Sequence, residues 1–141
     1  MNAPLYNTQI LRLAASIPFQ DRLPDPAATS EKRSPVCGSR VTVDIDMVDG
    51  HVSGVGMLVR ACALGQASAS LMAAHAVGRT AEELATARNQ LTAWLAGERA
   101  APPEWPGLDI FIPALPHRAR HPSIRLAFEA AAEAAAEAGA R

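Results

Sequence analysis

Tyr6, Ile10, Leu13 and Ile17 recur every three or four residues, the spacing of one apolar stripe along a helix. They predict a first helix running to about Ser16, before Pro18. Residues 18–35 hold Pro18, Pro24, Pro26 and Pro35 among scattered charges and read as loop, with a short edge strand available at Thr29 to Arg33. Val41, Val43, Ile45 and Met47 then alternate with Thr42, Asp44 and Asp46, the period of a strand with one buried face. Asp49-Gly50 is a hairpin-turn dipeptide, after which Val55, Met57 and Val59 return at alternate positions around Gly54 and Gly56. The pattern predicts an antiparallel hairpin.

From Gln66 the chain turns to small residues at helical spacing, Ala67, Ala69, Leu71, Met72 and Ala73 among them, closed by Gly78. Thr80 followed by Glu83 is a capping box, and the helix behind it carries Leu84, Ala87, Leu91, Trp94 and Leu95 on one face up to Gly97. A Pro-rich connection from Ala100 to Pro122 contains Trp105, Ile110, Phe111 and Ile112, apolar enough to pack down and to hold one short helix. The last helix is expected from Pro122 or Ser123, with Ile124, Phe128, Ala131 and Ala135 inward and Glu129, Glu133 and Glu137 on a solvated stripe. The expected architecture is α+β: a small antiparallel sheet of two or three strands packed against four or five helices, as one domain over residues 1–141.

Composition changes the picture in three ways. Thirty alanines and six aromatics call for a closely packed core of small side chains. Thirteen basic against 14 acidic residues give a net charge of −1, without the basic excess that phosphate-backbone binding draws on, so nucleic acid is not an expected partner. No apolar run of about 18 residues occurs and no basic segment precedes an apolar one at the start, so the chain is expected in the cytoplasm with no membrane partner.

Cys37 and Cys62 are the only cysteines, and in a reducing compartment such a pair is free, metal-bound or catalytic rather than a structural staple. If Asp49-Gly50 are the two turn residues, the same register carried along the hairpin sets positions 37 and 62 opposite each other, Cβ atoms about 4.5–5.5 Å apart. A bulge at the glycines would shift that register by one while keeping the two close. Cys62 also stands just upstream of a helix, near Arg40 and Arg60, where free N–H groups and positive charge favour a thiolate. Two thiolates are an incomplete zinc site. Of the histidines, His51 lies at the turn, His75 reads as a surface residue, and His117 and His121 enter the last helix; His121 is the preferred further ligand.

Two motifs resemble those of the U-type iron-sulfur cluster assembly scaffolds, the family of IscU, SufU and the N-terminal domain of NifU. Ser34-Pro35-Val36-Cys37-Gly38-Ser39 is similar to the family's first ligand motif, Pro-x-Cys-Gly followed by Asp. Arg60-Ala61-Cys62-Ala63-Leu64-Gly65-Gln66-Ala67-Ser68-Ala69-Ser70 is similar to its second, Gly-Cys-x-x-x-x-Ala-Ser-x-Ser. The order of first helix, hairpin and following helix is similar as well. The resemblance implies a scaffold rather than an enzyme. It would bind a transient iron-sulfur cluster or zinc, take sulfur from a cysteine desulfurase with Cys62 as acceptor, and serve apo iron-sulfur proteins.

In that family three cysteines and an aspartate, sometimes with a histidine, hold the cargo. Here Ser39 stands at the aspartate, Ala61 replaces a glycine, and a third cysteine is missing; alignment puts either Pro122 or Ser123 in its place. The implied ligands are therefore Cys37 and Cys62, with His121 and Ser39 as further donors and water completing a zinc shell. Two other readings stay open: a metal-free interaction module that keeps the scaffold fold, and a redox switch through a Cys37-Cys62 disulfide.

Overall fold

A computed structural model describes residues 5–35 and 38–140. Helix α1 (Thr8–Ala15) starts where the Asn7 side chain accepts the Ile10 N–H and stops short of Pro18, as the apolar stripe predicts. Strands β1 (Ala28–Arg33), β2 (Arg40–Val48) and β3 (His51–Arg60) form one antiparallel sheet in the order β1-β2-β3. The β2–β3 turn is at Asp49 and Gly50, both left-handed with φ of 53° and 77°, the backbone a type I′ hairpin requires.

The register departs from the uninterrupted ladder expected of that turn. Val48 pairs with His51 and Met47 with Val52, but Asp46 pairs with Gly54, so Ser53 is an extra residue on β3. Every pair beyond this bulge is shifted by one, ending at Arg40 with Arg60. The ladder therefore does not set positions 37 and 62 strictly opposite, and Cys37 itself lies outside the described residues.

The inner face of the sheet presents Val41, Val43, Ile45, Val55 and Met57, all buried. The outer face is not the solvated one that alternation suggests. Asp44 is fully buried there, because the segment preceding β1 crosses it as a strap. Arg22 donates to Asp44 through Nε and a terminal nitrogen at 2.7 and 2.9 Å, and Leu23 N–H and Thr29 Oγ1 add bonds of 3.0 and 2.7 Å. Ala27 N–H is held by Asp46 at 2.8 Å. Gly56 of β3 makes room for the strap: a Cβ there would come 2.7 Å from both Asp21 O and Leu23 N.

Three long helices follow. Helix α2 (Ala63–Ala76) begins three residues before the predicted Gln66, and α3 (Ala81–Leu95) has the predicted Thr80/Glu83 capping box with both reciprocal bonds. Short 3-10 helices at Leu108–Ala114 and Arg118–Arg120 lead into α4 (His121–Gly139). Helix α4 is the hub, packed on β1, β2, α2 and α3. Its alanines explain how: Ala127, Ala130, Ala131, Ala132, Ala134 and Ala135 are buried, and side chains of one carbon allow close approach on several sides. The acidic stripe is only partly solvated, since Glu133 pairs with Lys32 and Glu129 with Arg125. Among the described residues no helix is long and apolar enough to cross a membrane.

Candidate functional site

Cys62 is the N-cap residue of α2, with extended backbone (φ −67°, ψ 171°) and no side-chain capping bond. Its carbonyl accepts the Gln66 N–H at 2.9 Å, while the Gln66 side chain turns back to Ala61 O at 2.9 Å, fixing the loop that presents the thiol. The thiol is free and half-buried. A 14-residue helix directs its first free N–H groups and its positive dipole end at this position.

The first turns of α2 and α4 pack against each other. Ser68 donates to Ile124 O at 2.6 Å, and a Cβ on Gly65 would stand 3.2 Å from Ser123 O and 2.7 Å from the Ala61 Cβ. Ser123 is buried in that contact, and its hydroxyl lies 3.4 Å from that of Ser39, also buried, at the foot of β2. On the far side of Ser39, its carbonyl accepts the Ser34 N–H at 2.8 Å, joining described residues on either side of positions 36 and 37. The start of β2, the N-terminus of α2 and the N-terminus of α4 thus meet at one place, with Ser39 and Ser123 in contact and Cys62 on the adjoining turn.

His121 opens α4 and is buried, with Nε2 2.9 Å from Ala114 O. A carbonyl oxygen only accepts, so Nε2 is the donor in this bond, and in the neutral ring Nδ1 is then the nitrogen with a lone pair. That is the arrangement by which a backbone carbonyl orients a histidine offered as a ligand. The remaining histidines lie elsewhere. His51 bonds Asp49 O at the hairpin turn, His75 sits edge-on to Trp105 with ring centroids 6.3 Å apart, and His117 is exposed. Among the described residues no cluster of three His, Cys, Asp or Glu side chains stands ready for a metal ion.

Two features of this region were not legible as such in the sequence. The Ser39–Ser123 contact joins residues with no shared periodicity, and only the motif alignment pointed to either. The second is a rank of arginines: β2 pairs Arg40 with Arg33 on one side and with Arg60 on the other, at the sheet end that leads into Cys62.

No family model matches the chain. Relatives do. An iron-sulfur cluster assembly scaffold protein, IscU of Thermotoga maritima, is 32% identical over 80 residues, which cover 57% of this chain and 56% of that protein, so the match spans little more than half the length of this relative. The crystal structure of the N-terminal part of a nitrogen-fixing NifU-like protein from Brucella abortus superposes with a TM-score of 0.91 at 37% identity, covering 97% of this chain and 96% of that one. The SUF-system protein FiSufU of Fervidobacterium islandicum AW-1 shares the fold, with a TM-score of 0.81 at 19% identity over 92% of this chain and 96% of its own. With fold and more than a third of its residues shared along nearly its whole length with the Brucella protein, the chain belongs to the U-type iron-sulfur cluster assembly scaffold family.

Proposed function

We propose that the chain acts in iron-sulfur cluster assembly as a scaffold-like protein whose working thiol is Cys62. The observation that carries this reading is the placement of Cys62: a free, half-buried thiol on the N-cap of α2, one turn from the packed contact with Ser123. A nucleophile needs a reachable sulfur held in place, and the N-cap of α2 holds this one half-exposed.

The donor is a persulfide on a cysteine desulfurase. The Cys62 thiolate attacks the outer sulfur of that persulfide, the S–S bond to the desulfurase cysteine breaks, its thiolate departs with the bonding electron pair, and a new S–S bond forms on Cys62. One sulfur atom moves, and no oxidant or reductant is consumed.

A nascent cluster or a zinc ion is cargo in this scheme, shared by Cys37 and Cys62, with His121 through Nδ1 and Ser39 as weaker donors. Two thiolates, one imidazole and a neutral hydroxyl fall short of the mostly thiolate shell that holds clusters firmly, which suits delivery to apo iron-sulfur proteins. A second reading is favoured by the hydroxyl contact between Ser39 and Ser123, which stand where the family carries an aspartate and, in one alignment, a cysteine. On that reading the fold serves as a metal-free interaction module.

Anaerobic addition of ferrous iron and sulfide tests the first reading. Visible charge-transfer absorption, or zinc copurifying near one-to-one, is expected from the intact chain and lost in Cys62→Ala. Incubation with a cysteine desulfurase and cysteine is expected to add the mass of one sulfur atom to the peptide containing Cys62. Absence of absorption, zinc and added sulfur together leaves the metal-free module.

A further inference from the structure

Residues directly opposite each other on neighbouring strands point to the same face of a sheet. Arg33 opposite Arg40, and Arg40 opposite Arg60, therefore make a single rank of guanidinium groups across all three strands, about 10 Å from end to end at the usual strand spacing. The rank lies on the outer face, four residues along β2 from Asp44, where the strap is anchored. Arg60 and Arg33 are exposed and Arg40 is partly so.

Like charges directly opposite in a sheet destabilise it, and nothing in the core requires them here. The one carboxylate in the rank shows what the arginines accept. Glu31 places one oxygen 2.9 Å from Arg33 Nε and the other 3.7 Å from Arg40 Nε, and is steadied by Thr42 Oγ1 at 3.0 Å. Hydrogen bonding to Arg33 and then to Thr42 leads the effects that hold the Glu31 carboxyl below the ordinary carboxylate range, so it stays an anion. Arg60 has no ion-pair partner among the described residues. In a chain of net charge −1, this is a local positive surface, and it ends two residues from Cys62 and one from Ser39.

We propose that the Arg33–Arg40–Arg60 rank is the docking surface for a partner protein that presents a short acidic segment, its carboxylates taking Arg60 directly and displacing Glu31 from Arg33 and Arg40. Charge complementarity selects this occupant. Discrete carboxylates match guanidinium forks bidentately, whereas a nucleic-acid backbone needs a longer basic track and would meet Glu31 in the middle of this one. The proposal deepens the sulfur-acceptor reading by giving the donor's chemistry beside Cys62. Its test uses neither metal nor sulfur, so either can fail alone.

The full chain is titrated into fluorescently labelled hexaglutamate, with labelled hexalysine and oligothymidylate as comparisons and inorganic phosphate as competitor. Hexaglutamate is expected to bind, and to weaken about tenfold between low and high salt as the Debye length shrinks. Arg60→Gln and Arg33→Gln are each expected to weaken it about threefold, the size of one exposed charge pair. Arg12→Gln, remote from the rank, should leave binding unchanged. Glu31→Gln, which removes the internal competitor, should tighten it. Unchanged affinity in Arg60→Gln with the fold intact by circular dichroism would overturn the proposal. So would weaker binding in Glu31→Gln, tighter binding of oligothymidylate than of hexaglutamate, or full displacement by phosphate at the same charge concentration.

Discussion

The hydroxyls of Ser39 and Ser123 are 3.4 Å apart although 84 positions separate them in the chain. Both side chains are buried; Ser39 immediately precedes β2, and Ser123 lies in the first turn of α4, its carbonyl 3.2 Å from where a Cβ on Gly65 of α2 would stand. This contact favours Ser123 over Pro122 as the residue that takes the place of the family's third cysteine. If so, a thiol at 123 completes a donor set that a neutral hydroxyl leaves weak. Ser123→Cys is expected to raise zinc affinity about tenfold or more, equivalent to about 1.4 kcal/mol, read by competition with a chromogenic chelator. The gain should vanish in the Cys62→Ala background, because the two sulfurs act on one ion. An equal gain with and without Cys62 would separate Ser123 from the site.

Asp44 anchors the strap on the outer face, and its removal should be felt across the sheet. Burial pushes its carboxyl pKa up, but the hydrogen bonds from Arg22, Thr29 and Leu23, with the Arg22 charge, outweigh burial and leave it below the ordinary value. Because the folded state lowers this pKa, its stabilisation is complete above the ordinary value of about 4 and fades as pH falls through the folded one. Asp44→Asn is expected to cost about 2 kcal/mol near neutral pH, since Thr29 and Leu23 lose a charged acceptor while half-exposed Arg22 regains water. Denaturant melts at several pH values should also show a shallower acid decline for the variant than for the wild type. Parallel declines would mean that other carboxylates, such as Glu83 and Glu133, account for it.

How much of this was legible in the sequence depends on the range of the interaction concerned. The hairpin turn was plain because Asp49-Gly50 acts on its own backbone, and the α3 start because Thr80 and Glu83 cap within three residues. The bulge at Ser53 was not, since Gly54 and Gly56 advertise a weak point without saying where the extra residue goes. Asp44 alternated with core valines and isoleucine and so read as solvated; only the returning strap, 21 or 22 positions away, buries it. Helix α2 begins at Ala63 rather than near Gln66 because Cys62 caps it without a side-chain bond, so no capping residue marked the boundary. In the candidate site, a motif marks Cys62 in the sequence, whereas the contact of Ser39 with Ser123 depends on distant chain segments meeting and carries no local signal.

The Thr80 cap offers a measurement in which sequence and structure agree. Thr80 Oγ1 accepts the Glu83 N–H at 3.1 Å, and the Glu83 carboxylate accepts the Thr80 N–H at 3.2 Å and pairs with Arg79. Thr80→Ala is expected to cost about 1 kcal/mol, or roughly 3–5 °C in melting temperature for a chain of this size. Zinc binding and Cys62 alkylation should not change, since α3 takes no part in the site.

Gly65 couples stability to the geometry around Cys62. An alanine within a helix is ordinarily preferred to glycine by about 1 kcal/mol, but here its Cβ would fall 2.7 Å from the Ala61 Cβ and 3.2 Å from Ser123 O. Neither neighbour is the end of a flexible side chain, so relief requires the first turn of α2 to move away from α4 or the Ala61–Cys62 loop to move outward. Gly65→Ala is therefore expected to be destabilising, by about 1–2 kcal/mol after the propensity gain is subtracted from the overpacking cost. It should also change the rate at which iodoacetamide alkylates Cys62. Adding Ala61→Gly removes the closer of the two contacts and leaves the 3.2 Å one, which a small shift relieves. The double variant should recover more stability than the two single effects predict by addition, a favourable coupling in a double-mutant cycle. Additive losses would show that the α2–α4 contact yields independently of Ala61, and that the loop presenting the thiol is not fixed by that packing.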